Sequence, residues 1–124
     1  MPILGTSSPA LPAKTLFLGL LDSETEASVL LPLPACSIVE IDFYSTVAPG
    51  AGQSFAYTLR KAAAGVFTGS DQAMTTTISG ATAKEARVTG SVAYSAQDKF
   101  SVKLVTSASA AQAMHFAVVK LSFS

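Results

Sequence analysis

From Ser91 to Ser124 the chain reads SVAYSAQDKFSVKLVTSASAAQAMHFAVVKLSFS, with two runs of period-2 alternation, residues 98–106 and 112–123, and no grouping of residues suited to chemistry. Successive side chains of a strand point to opposite faces, so such runs describe sheet built to pack. Hydrophobic residues make up 49% of the chain and charged ones 13%, roughly half of the charged share of about 25% in an ordinary soluble domain. That is too little charge to cover a lone sandwich of this size. The surplus apolar surface is expected to meet other subunits. Eight basic and eight acidic residues cancel, so no field steers the chain to nucleic acid or to an anionic membrane, and self-repulsion does not oppose assembly.

The length of 124 residues suits one domain with one core. The opening MPILGTSSPALPAK has no basic stretch ahead of an apolar one, and the run from Leu16 to Leu21 is far short of the ~20 residues a spanning helix needs. Neither a signal peptide nor an anchor is expected. The single Cys36 has no partner for an intrachain disulfide and reads as a small buried apolar side chain.

Residues 1–14 hold three prolines among Ile3, Leu4 and Leu11. They read as an extended arm, suited to lie along a neighbouring surface. The remainder, 15–124, reads as an antiparallel β-sandwich of about eight strands, jelly-roll-like or of a related arrangement. Short strands are expected at Thr15 to Leu21 and Ala27 to Leu31, with a polar turn at Asp22 to Glu26 between them. Ser37 to Thr46 alternates, with Val39, Ile41 and Phe43 against Glu40, Asp42 and Tyr44. A Pro-Gly loop leads from it into Gln53 to Lys61, with Phe55, Tyr57 and Leu59 on one face, and the two runs read as a hairpin. Further strands are expected at Ala73 to Ser79, at Glu85 to Tyr94 with an interruption at Gly90, and at Phe100, Val102 and Leu104 with Ser101 and Lys103 facing away. The last strand sets Met114, Phe116 and Val118 against His115, Ala117, Val119, Leu121 and Phe123, apolar on both faces.

TLFLGL, TVAPGAGQSFAYTLRK, TTTISGA, SVAYSAQDKFSVKLVTSASAA and the final VVKLSFS together resemble small β-sandwich proteins of tailed-bacteriophage virions, over about residues 15–124. In that group the middle motif ends in Arg-Lys-Asn-Gly and the last begins at a Gly-Asp turn. This chain keeps Arg60 and Lys61 but continues Ala62-Ala63-Ala64-Gly65, and it has Gln97-Asp98 in place of Gly-Asp. The resemblance implies a homotrimeric structural protein on the virion, a capsid decoration (cement) protein packed against the major capsid protein of the head and assembled in the host cytoplasm. The alternative is a tail-fibre or receptor-binding head domain whose exposed loops, such as Val47 to Gln53 and Gly65 to Gln72 with Phe67 as their aromatic, touch the host surface or a sugar. Ile3, Leu4, Leu11, Phe116 and Phe123 are the candidate contacts with subunits or capsid.

No enzyme is expected, nor a small-molecule substrate, a cofactor or a metal. His115 is the one histidine and lies within a strand, and no G-x-S-x-G elbow occurs. Asp22, Glu24 and Glu26 lack the EF-hand pattern. Gly50 and Gly52 precede a strand, where a phosphate cradle needs a helix. Arg60, Lys61, Lys84, Arg87, Lys99 and Lys103 have no stacking aromatics beside them, because Phe55, Tyr57 and Phe100 alternate towards the core, so no nucleic-acid platform is expected.

Overall fold

The computed structural model describes residues 3–6, 9–19 and 22–123. Its strands are β1 (Ile3–Gly5), β2 (Thr15–Leu18), β3 (Asp22–Ser23), β4 (Leu31–Pro32), β5 (Cys36–Ser45), β6 (Gly50–Ala62), β7 (Ser70–Gly80), β8 (Glu85–Tyr94), β9 (Lys99–Thr106) and β10 (His115–Ser122), and a single 3-10 turn spans Glu26–Ser28. The fold is all-β. One sheet has the order β1-β10-β5-β8 and the other β3-β2-β9-β6-β7, with β4 also paired to β9. Every pairing is antiparallel.

The sheets are built from nested pairs: β1 with β10, β2 with β9, β5 with β8 and β6 with β7. The core lies between them. Phe55, Tyr57 and Leu59 from β6 and Phe100, Val102 and Leu104 from β9 are buried as the alternation requires. They meet Ile38, Ile41 and Phe43 of β5, and the rings of Phe43 and Tyr57 stack at 4.3 Å across the sandwich.

Several expectations change. Ser37 to Thr46 and Gln53 to Lys61 are not a hairpin: β5 pairs with β8 and β10, β6 with β7 and β9. The Pro-Gly loop carries the chain from one sheet to the other, a distinction that alternation cannot register because both kinds of connection join the same kind of strand. Val39 does not share a face with Ile41 and Phe43. It is half-buried, while Ile38 and Ile41 are fully buried, because the register slips there. Against β10 the register steps from Leu121↔Ile38 to Lys120↔Glu40, which leaves Val39 as an extra residue in β5. Such a bulge reverses the alternation beyond it. Gly90 gives Met74 room, since a Cβ would stand 3.1 Å from Met74 Cγ.

Ala27 to Leu31 is not a strand but the end of the 3-10 turn followed by the two-residue β4. Asp22 to Glu26 is not wholly a solvated turn, as Glu26 is buried. Ser101 faces away from the core as expected yet is fully buried, because Glu26 covers it. The expectation for residues 1–14 fails at Leu4, which is wholly buried in the chain's own core, opposite Ala117. Ala10 is buried too and bridges to Ala113.

Candidate functional site

The five contact candidates do not form one patch. Ile3 pairs through its backbone with Val118, and its side chain lies outside the described part. Leu4, buried between the sheets, is withdrawn from any partner. Leu11 is half exposed and its carbonyl accepts from Thr106 Oγ1, which places it at the end of the sandwich where β9 finishes. Phe116 is half-buried on the outer face of the first sheet. Phe123 follows β10 at the opposite end, 65% exposed; the expected apolar row of the last strand therefore ends inside it.

Phe123 shares its end with one of the loops that the receptor-binding alternative would use. β6 finishes there, and the connection to β7 carries Val66, 45% exposed, and Phe67, 62% exposed. Lys99 Nζ lies 5.0 Å from the Phe67 ring centroid and donates to the Ala63 carbonyl at 2.8 Å. A side chain that is fixed and yet exposes an aromatic ring is suited to contact. The signal in the sequence was a Val-Phe pair inside a stretch flanked by Gly65 and Gly69, where turn residues alone would serve.

The outer face of the second sheet is occupied by charge. Glu26 accepts from Arg60 Nε and Nη2, both at 3.0 Å, from Gly69 N at 2.7 Å and from Ser101 Oγ at 2.9 Å. Arg60 also donates to the Gly69 carbonyl and to Asp71, and its guanidinium stands 5.5 Å from the Phe17 ring centroid. Lys103 donates to Asp71 from the neighbouring strand. Burial alone would raise the Glu26 carboxyl; the hydrogen bonds from Arg60, Gly69 and Ser101 outweigh it and hold it below the usual carboxylate range. The hydrogen bond to Glu26 in turn raises Arg60. This network ties the 3-10 turn, β6, β7 and β9 together. Its donors are consumed internally, so it stabilises rather than binds.

Between the sheets, His115 is fully buried with Nδ1 2.8 Å from the Tyr57 hydroxyl, and its Nε2 has no hydrogen-bond partner among the described residues. Burial lowers its pKa to about 4. The Phe55 ring meets it edge-on at 4.5 Å. It is a neutral core residue, closed to a substrate.

On the outer face of the first sheet the rows read Gly5, Phe116, Tyr44, Glu85 and, next to it, Val118, Asp42, Arg87. Tyr44 is 44% exposed, and Arg87 Nε donates to Asp42 Oδ1. Among the described residues no three His, Cys, Asp or Glu side chains gather to hold a metal ion, and no helix is long and apolar enough to cross a membrane. Comparison of the chain with protein-family models, with curated proteins and with solved structures finds no match in any of the three.

Proposed function

We propose that this chain is a structural subunit of a bacteriophage virion, a homotrimeric capsid decoration protein that stabilises the head by packing on the lattice of the major capsid protein. The observation that carries this reading is that Val66, Phe67 and Phe123 stand exposed at the same end of the two sheets, on a chain with few charges to offset them. At about 25 cal/mol per Å2 of apolar surface removed from water, three such side chains repeated around a trimer supply a contact that needs no chemistry. A subunit that binds only the assembled shell stabilises it by mass action.

The nested strand pairs favour the jelly-roll form of the sandwich: first with last, second with next to last, and so inward to the β6–β7 hairpin. That is the order of one long hairpin rolled into two sheets.

The test is occupancy on heads that lack the protein. The Phe67→Ser/Phe123→Ser variant is expected to keep its melting temperature, since both rings are exposed, and to lose at least about tenfold in affinity for the particle, or roughly 1.4 kcal/mol. Wild-type occupancy by this variant would remove the apolar end from the account. Failure of the unaltered protein to bind any head would favour the receptor-binding reading.

A further inference from the structure

We infer that the outer face of the first sheet is a binding site for a neutral saccharide, a function that goes beyond packing on a shell and does not depend on it. Strands β10, β5 and β8 together shape an open groove of about 520 Å3 there, lined chiefly by Phe116, Val118, Tyr44, Asp42, Glu85 and Arg87. The aromatic part is laid down by a glycine. A Cβ on Gly5 would stand 3.2 Å from Phe116 Cδ1, so the Phe116 ring lies over Gly5 along the sheet instead of standing away from it. The Tyr44 ring is beside it, with centroids 6.4 Å apart and planes 29° from parallel. Two rings held near-parallel on neighbouring strands form an apolar strip on rigid scaffold, where position does not depend on a loop.

Alongside the strip stand Asp42 and Glu85 with the Arg87 guanidinium. The charges select the ligand. Two carboxylates against one guanidinium leave the groove with a negative balance, which disfavours phosphates, acidic sugars and nucleic acid. A dry protein surface would have to strip water from all three groups, at a cost that the Asp42–Arg87 pair alone does not return. Sugar hydroxyls replace that water bond for bond: they donate to the carboxylates and accept from Arg87, while the C–H face of a pyranose ring rests on Tyr44 and Phe116. A groove of this volume lies in the ordinary range for small-ligand sites.

The experiment is a titration of the full-length 15N-labelled protein with four neutral probes, cellotetraose, maltotetraose, mannotetraose and chitotetraose, at millimolar concentration. At least one is expected to shift the backbone amides of Tyr44, Glu85, Arg87 and Phe116 and the Arg87 Nε–H. Tyr44→Ala should weaken that binding at least roughly tenfold, the loss of one ring-stacking contact. Gly5→Ala, which displaces the Phe116 ring without touching the groove's charges, should weaken it as well. Absence of shifts with all four probes would overturn the assignment, as would equal binding by Tyr44→Ala. Shifts in the same residues that grow with protein concentration in the absence of sugar would make the groove a contact between copies and would equally overturn it.

Discussion

Replacing Arg60 with alanine is expected to lower the free energy of unfolding by about 3 to 5 kcal/mol, the loss that follows when one partner of a buried ion pair is removed. The size follows from what the side chain leaves behind. Glu26, 7% exposed, keeps its bonds to Gly69 N and Ser101 Oγ but loses a forked pair of hydrogen bonds, and its charge is then uncompensated. The Gly69 carbonyl and Asp71 lose a donor too, and Phe17 loses the guanidinium beside it. Lysine restores the charge but not the fork, so Arg60→Lys should recover only part of the loss. Urea unfolding at fixed protein concentration measures both variants. A loss below about 1 kcal/mol for Arg60→Ala, the size of an exposed pair, would show that water reaches the site and that the network is not a buried one.

Acid should destabilise the protein well above the ordinary carboxylate range. His115 has an ordinary value of 6.5, lowered in the fold to about 4 by burial. Between those limits the unfolded chain takes up a proton that the folded chain refuses, so stability falls as pH drops from 6.5 to 4 and this group adds no further loss below. At 1.36 kcal/mol per unit the full effect is about 3 kcal/mol. Glu26 acts lower down. Its folded value is depressed, so its contribution is complete above the ordinary range near 4.5 and is lost as pH falls through the folded value. His115→Gln, which can still pair with the Tyr57 hydroxyl but cannot titrate, should flatten the curve between pH 6.5 and 4 and leave the lower limb. If the variant and the unaltered protein lose stability in parallel across that window, His115 is not the group responsible.

The strand content of this chain was legible because alternation is a local signal. Phe55, Tyr57 and Leu59, or Phe100, Val102 and Leu104, announce an inward face without reference to any other strand. Which strands pair was not legible, since β5 and β6 carry the same pattern whether a loop folds them into a hairpin or sends them to opposite sheets. The bulge at Val39 is likewise invisible in its own strand, because it is defined by the register against Lys120 and Leu121 in β10. Glu26 looked like one acidic residue among three in a turn; only its approach to Arg60, Ser101 and Gly69 makes it a buried anchor. Leu4 looked free because its neighbours are prolines and small residues, and the partner that buries it, β10, lies more than a hundred positions away. Of the contact candidates, Phe123 is exposed and Leu4 is not, whereas Tyr44 read only as part of the polar side of a strand.

The claim on which the rest depends is that the sandwich does not stand alone, and the mass of the purified protein by multi-angle light scattering tests it most directly. The unaltered protein and the Phe67→Ser/Phe123→Ser variant should both give about three times the chain mass at micromolar concentration. A stable, soluble monomer over the same range would contradict it, because a chain with so few charges would then stand alone in water.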